Sequence, residues 1–290
     1  MPVGVMINKT MDRADLATPG ARAIIRGLDA LVRELRGRGL RISSWYGCFD
    51  LSADRHERTN RGYGYRPLQD AADDALFPWF LYWQIAWVVL HGGFTREQKI
   101  LDLGGSSSLF SYYLAARGYD VTTVDLREEL VANADLVARE MGWKLSNHRM
   151  DIRNLCFSTR FDHITSICVF EHIPLCERIE VNRNIGLLLK DHGRFSITFD
   201  YRNPSRFSKI DSPEDVRTQF VVSSGMRVRG NEYFIDTGKN YLLDPFYSSP
   251  PCYMYKLRAI LKGHHRLWDL FRTKGENDYT FGALFLEKSA

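Results

Sequence analysis

Residues 99–125 read KILDLGGSSSLFSYYLAARGYDVTTVD, and their order sets the fold. The apolar run Ile100-Leu101-Asp102-Leu103 has the continuous character of a strand buried on both faces. Gly104-Gly105-Ser106-Ser107-Ser108 is a small-residue turn, and Leu109, Phe110, Tyr113 and Leu114 then recur at helical spacing up to Gly118. A second strand, Asp120 to Val124, ends on the acid Asp125. Strand, glycine turn, helix, strand and acid together open a nucleotide-binding α/β sheet. Glycine permits positive φ and close approach of a ligand to the backbone. The helix start supplies free N–H groups and partial positive charge. An acid closing the next strand can accept both hydroxyls of a ribose. The dinucleotide pattern G-x-G-x-x-G is absent, and Asp102 inside the first strand suits a cationic ligand better than a pyrophosphate.

Downstream residues keep the same alternation. Arg127 to Met141 predicts a helix ending at Gly142, and Trp143 to Met150 a short third strand followed by Asp151-Ile152. Phe161 to Phe170 predicts a fourth strand leading into Glu171-His172-Ile173-Pro174. Ile179 to Leu189 is a further helix, and the turn 190–194 leads to a fifth strand, Phe195 to Asp200. Ser212-Pro213 has the form of an N-cap with proline at the first helical position. Met226 to Phe234 and Tyr279 to Leu286 read as strands six and seven, an antiparallel hairpin at the sheet edge.

Two of these stretches resemble the class I S-adenosylmethionine-dependent methyltransferases. Their first motif is acid-x-Gly-x-Gly-x-Gly. Asp102 and Gly104 match it, while Ser106 and Ser108 stand where the later glycines would be. Phe161-Asp162-His163-Ile164 through Glu171-His172 resembles the family's segment after strand four. The resemblance covers about residues 97–236 and 278–288. It implies a Rossmann-like seven-stranded, mostly parallel sheet with helices on both faces and a final antiparallel hairpin strand. It implies S-adenosylmethionine as cofactor, held by Asp102, Gly104, Gly105, Ser106, Asp125, Leu126, Asp151, Ile152, Val169 and Phe170. In the family the acid at Asp151 commonly bonds the adenine amino group; a loop-capping aspartate is the alternative.

The sulfonium methyl group is already activated, so alignment and exclusion of water carry most of the catalysis. A hydroxyl acceptor needs one base. His172, at the carboxyl edge of the sheet, is the first candidate, unless it only shapes the pocket. Asp200 and Tyr201, with Arg202, are next for acceptor contacts. Some relatives bind a divalent metal through the Glu-His pair and an acid three residues earlier. Cys168 stands at that earlier position and is a poor magnesium ligand, so no metal is expected.

Outside this core, residues 1–20 read as a flexible arm, and Ala21 to Arg38 as an amphipathic helix. Residues 41–75 lack any clean period, and Phe77 to Val89 is a strongly aromatic helix. Residues 1–95 resemble the helical cap that many small-molecule methyltransferases lay over the cofactor pocket; residues 96–290 then form the methyltransferase domain. The insertion at about 236–278, with its basic helix and His264-His265, is either an acceptor-binding lid or solvated surface.

The 290 residues carry 44% hydrophobic and 26% charged residues, as soluble globular proteins do. A net charge of +4 does not argue for nucleic acid or a membrane surface. The five cysteines show no zinc or disulfide spacing, which fits a reducing cytoplasm. No signal peptide is read at the start. The apolar run Leu76 to Leu90 falls short of the roughly 20 residues of a spanning helix. The expected activity is methyl transfer to a small-molecule or sugar-containing acceptor, at oxygen. The alternatives are a protein or RNA acceptor, or a binding protein that keeps the fold without turnover.

Overall fold

The computed structural model describes residues 6–43, 77–204, 206, 209–241, 243 and 278–290. Eight strands form one sheet: β1 (Lys9–Thr10), β2 (Lys99–Leu103), β3 (Asp120–Asp125), β4 (Leu145–Arg149), β5 (Phe161–Ile167), β6 (Leu189–Tyr201), β7 (Arg227–Val228) and β8 (Thr280–Glu287). The order is β1-β8-β6-β5-β2-β3-β4, with β7 also paired to β8. Strands β2 to β6 are mutually parallel, while β8 runs antiparallel to β6. Strand order reverses at β2, between β5 and β3, and ligands of such sheets bind above the carboxyl ends at this crossover.

Helices cover both faces. On one lie α1 (Pro19–Gly37), α2 (Trp79–Gly92), α3 (Leu109–Ala116) and α4 (Glu128–Met141); on the other lie α5 (Leu175–Leu188) and α6 (Pro213–Val216). The period-2 alternation of the strands feeds both layers. Phe281, Ala283 and Phe285 of β8 meet the first, and Leu284 and Leu286 the second. Ser212 and Asp215 form a reciprocal capping box on α6, as the Ser-Pro-Glu-Asp sequence predicts.

The expected flexible arm is instead part of the sheet. Within residues 6–20, Lys9–Thr10 pairs with β8, Met11 is fully buried, and Arg13–Ala17 makes a turn of 3-10 helix. Thr18 caps α1 and Pro19 takes its first position, where the missing N–H costs nothing. The aromatic helix α2 holds this arm with polar ring edges. Trp83 Nε1 donates to Asp15 (2.8 Å) and Trp87 Nε1 to the Ile7 carbonyl (2.8 Å). Tyr82 donates to Asp29 of α1 at 2.8 Å. On α1, Ile24, Ile25, Leu28, Leu31, Val32 and Leu35 are buried, each contributing about 1.5–3 kcal/mol.

The expected sixth strand is also corrected. Of Met226 to Phe234 only Arg227–Val228 pairs, because Gly230 turns the chain at φ 91° and Asn231 spends its amide on the arm. Asn231 Oδ1 accepts from the backbone N–H groups of Ile7 and Asn8, and Asn8 Nδ2 donates to the carbonyls of Arg229 and Asn231. The expected antiparallel pairing of the last two strands is present but short, β7 with β8, and β1 joins β8 on the same side. The irregular stretch 44–76 and nearly all of the 236–278 insertion, including His264 and His265, lie outside the described residues.

Candidate active site

The loop after β2 is built from its small residues, each with a separate job. Gly104 has φ 71°, and a Cβ there would meet Val169 at 2.7 Å. The two serines in glycine positions turn away from the crevice. Ser106, fully buried, bonds Thr123 of β3 (2.7 Å), so it offers a ligand only its backbone. Ser108 caps α3 by accepting from Ser111 N–H at 3.1 Å. Ser107, at φ 63°, donates to the Leu130 carbonyl (2.6 Å) and accepts from Asn133 (3.0 Å). The loop is thereby tied to β3 and α4 without glycine at either later position.

Asp102 is not a surface acid. It is 1% exposed, with Ser111 Oγ on one oxygen (2.5 Å) and Thr165 Oγ1 on the other (2.8 Å). Burial pushes its carboxyl up to about 7 against those hydrogen bonds. This corrects the expectation of direct cofactor contact: Asp102 braces the loop from beneath. Asp125 closes β3 half-buried, accepting from Arg127 N–H (3.0 Å), and burial raises its carboxyl above the usual range. Leu126 follows it, 58% exposed, an apolar surface beside the acid. Asp151 is held by Arg153, whose Nε lies 2.9 Å from Oδ2, and caps the turn Ile152–Asn154. Ile152 is buried next to it.

Val169, half-buried, faces Gly104; Phe170 turns into the core, its ring 5.8 Å from Phe195 and 6.1 Å from Phe220. Phe170 therefore lines no surface, contrary to expectation. Asp200 and Tyr201 end β6 on opposite faces. The Tyr201 ring is fully buried in the second layer, and its hydroxyl donates to Asp236 (3.2 Å). Asp200 faces the first layer, so the two do not converge on one acceptor.

Around Asp200 the structure gathers residues that the sequence alone did not join. Cys168, at φ 51°, folds the chain back over the end of β5. Its Sγ and carboxylate oxygens of Glu171 and Asp200 lie within 4.8 Å of one another. Arg206 Nε (2.6 Å) and Asn203 Nδ2 (2.7 Å) donate to Asp200. Arg206 also reaches Nδ1 of the exposed His172 at 3.1 Å, and desolvation and that guanidinium lower the imidazole below its ordinary value. Gln84 of α2 accepts from Thr198 Oγ1 (2.7 Å) and from the Cys168 thiol. Glu171 is buried, and neither of its oxygens has a hydrogen-bond partner. Burial and the Asp200 charge push its carboxyl up to about 8. The thiol donates to Gln84, one oxygen of Asp200 is taken by Arg206 and Asn203, and a thiol is a poor ligand for a hard divalent cation. Sequence marked Cys168, Glu171 and His172 around the end of the fourth strand and Asp200 at the end of the fifth, but not Gln84, Asn203 or Arg206, which come from α2 and the loop after β6.

A glycine-turned loop after the first parallel strand, an acid closing the second and a polar cluster beyond the fourth define a methyltransferase-type α/β domain. Residues 100–193 match the family model described as a methyltransferase domain. The Aeromonas salmonicida ubiquinone biosynthesis O-methyltransferase is 29% identical over 126 residues, 43% of this chain and 52% of that protein. The enzyme of the same name from Xanthomonas euvesicatoria is 30% identical over 38% of this chain and 46% of its own length. The chain thus spans about half the length of the curated relatives it matches. YcgJ of Bacillus subtilis shares the fold at TM-score 0.50 and 16% identity, over 72% of this chain and 99% of its own. The likenesses are to S-adenosylmethionine-dependent methyltransferases, and the family model covers residues 100–193 of the chain. No helix among the described residues is long and apolar enough to cross a membrane.

Proposed function

We propose that this protein binds S-adenosylmethionine above the carboxyl ends of β2, β3 and β5 and transfers its methyl group to an oxygen of a small-molecule acceptor. The observation that carries the reading is the loop 104–108, where a Cβ on Gly104 would strike Val169 and Gly105 lies flush on Asp102. Backbone is thus presented to the crevice beside Asp125. Asp125 is the acceptor for ribose hydroxyls, and the exposed Leu126 supplies an apolar face for the adenine. Gly104, Gly105 and Ser106 offer main chain to the amino-acid portion, with Val169 packed alongside. The bound sulfonium supplies an activated methyl group; the chain contributes alignment, dryness and a destination for the acceptor's proton.

Oxygen as the acceptor atom is supported by the names of the matched relatives, both O-methyltransferases. A small acceptor is in keeping with the modest charge of +4. The free thiols of Cys156, Cys168 and Cys176 are in keeping with a reducing cytoplasm. Calorimetric titration with S-adenosylhomocysteine, beside Asp125→Ala, tests the reading. Saturable binding that the substitution weakens at least tenfold supports it. No heat with the native protein removes it.

A further inference from the structure

On the face of the sheet covered by α2, polar side chains pair off one after another. His163 meets Ser196 (2.8 Å), Thr165 meets Asp102 (2.8 Å), and Thr198 meets Gln84 (2.7 Å). The row ends unpaired at the carboxyl edge. Gln84 is fully buried with Oε1 doubly occupied, yet its Nε2 has no partner. Glu171 is 4% exposed with both oxygens free. Cys168 links the two, since its thiol donates to Gln84 while its sulfur lies within 4.8 Å of the Glu171 carboxylate. An orphaned buried donor and an orphaned buried acceptor each cost about 1–3 kcal/mol, and that cost disappears when one ligand satisfies both.

A hydroxyl is the simplest group that accepts one hydrogen bond and donates another. An ammonium group accepts none and would leave Gln84 Nε2 unpaired. It would also approach Arg206, whose guanidinium already offsets Asp200 at 2.6 Å. Next to this pair, Ile167, Cys168 and Val169 are half-buried and His172 is exposed. His172 is less suited to take a proton, because its Nδ1 already accepts from Arg206.

Resting on the methyl-transfer reading above, we propose that Gln84 and Glu171 together hold the reacting hydroxyl of the acceptor, and that Glu171 takes its proton. Gln84 donates to the hydroxyl oxygen while Glu171 accepts the O–H proton. As a lone pair of that oxygen forms the new O–CH3 bond, the C–S bond breaks and its electron pair stays on sulfur as a neutral thioether. The proton stays on Glu171 until solvent takes it when the product leaves. Charge balances, because a carboxylate and a sulfonium become a carboxylic acid and a thioether.

The test uses the full chain and the labelled methyl group of S-adenosylmethionine, with catechol, phenol and glycerol as hydroxyl probes and glycine and dimethylamine as amine probes. Glu171→Gln keeps the volume and removes the base, and Gln84→Leu removes the donor. S-adenosylhomocysteine titration of each variant checks folding and separates this proposal from the cofactor reading. The expected result is label transfer to a hydroxyl probe by the native protein. Glu171→Gln then lowers kcat at least 100-fold with homocysteine-nucleoside affinity within threefold of native. Gln84→Leu chiefly raises the acceptor KM. Transfer to the amine probes alone, or to none of the probes, overturns the proposal. So does Glu171→Gln activity within threefold of native, or a loss found only in His172→Ala. If the native protein binds no S-adenosylhomocysteine, the methyltransferase reading itself has failed and this inference with it.

Discussion

Gly105 lies so close to Asp102 that a Cβ on it would stand 1.9 Å from the Asp102 Oδ2 and 2.7 Å from Ser111 Oγ. The second residue of the turn is therefore glycine because of an acid buried below it. Gly105→Ala should lower the thermal midpoint by several degrees and abolish S-adenosylhomocysteine binding. Adding Asp102→Ser to that variant makes room and should restore part of the midpoint. Thermal unfolding with and without ligand checks both.

Asp102 also predicts a pH effect whose sign can be worked out. Its folded-state value of about 7 lies above the 3.8 of the free side chain, so the native state binds the extra proton between those limits. Its contribution is favourable below about pH 4 and is lost as pH rises through 7. Asp102→Asn, always neutral, should gain on the native protein across that window, by on the order of 1–4 kcal/mol at pH 8. Urea unfolding at pH 5 and pH 8 measures it; equal differences at the two pH values would place the acid's charge elsewhere, for example on the ligand.

The proton acceptor proposed above sets a rate profile. Glu171, at about 8, is raised by burial and by Asp200 and lowered by Arg206. Cys168 and Arg178 are the other titratable groups coupled to it, and His172 stands next in the chain. Methyl transfer should rise with pH toward that value. Arg206→Ala should move the rise to higher pH, because the cation that favours the carboxylate is gone. A profile that rises below the ordinary imidazole value, where burial and the Arg206 guanidinium place His172, would point to that residue instead.

Asn8 predicts a stability effect far from the site. It is fully buried, and its side chain spans β7, the Asn231 turn and β8, where Phe285 N–H donates to Oδ1 at 2.8 Å. Asn8→Ala strands several backbone groups and should cost about 2–4 kcal/mol by chemical denaturation. S-adenosylhomocysteine affinity should change little.

What the sequence made legible was local. Ile100 to Leu103 and Phe161 to Ile167 are strands on composition alone, and Ser212-Pro213 announces a helix start. The acid at Asp125 follows from its place at the end of β3. What stayed hidden depends on partners remote in the chain. Two residues, Lys9 and Thr10, are too few to show a period, and their partners are Ala283 and Gly282. Met226 to Phe234 is apolar enough for a strand, but Gly230 and Asn231 commit it to a turn around Asn8. Ser106 and Ser108 looked like lost glycines until Thr123 and Ser111 gave their side chains work. Asp102 and Tyr201 were placed correctly on their strands, while Phe170 falls in a 3-10 turn beyond the end of β5, and which face each side chain took was set by tertiary packing. Glu171 was passed over for its neighbour His172, since only Gln84 and Asp200, from distant elements, make it a buried orphan.

The lock between Asn8 and β8 also bears on the order of synthesis. Phe285 comes 277 residues after Asn8. While the chain grows, β1 has no strand to join and the ring edges of Trp83 and Trp87 have no seated arm to hold. The cofactor loop, by contrast, can close as soon as β5 has emerged. The crevice at β2 can thus form before β8 emerges, while β1 joins the sheet edge only once β8 is made, so a chain arrested before β8 should recognise its nucleoside yet be readily cut in the segment that carries β1.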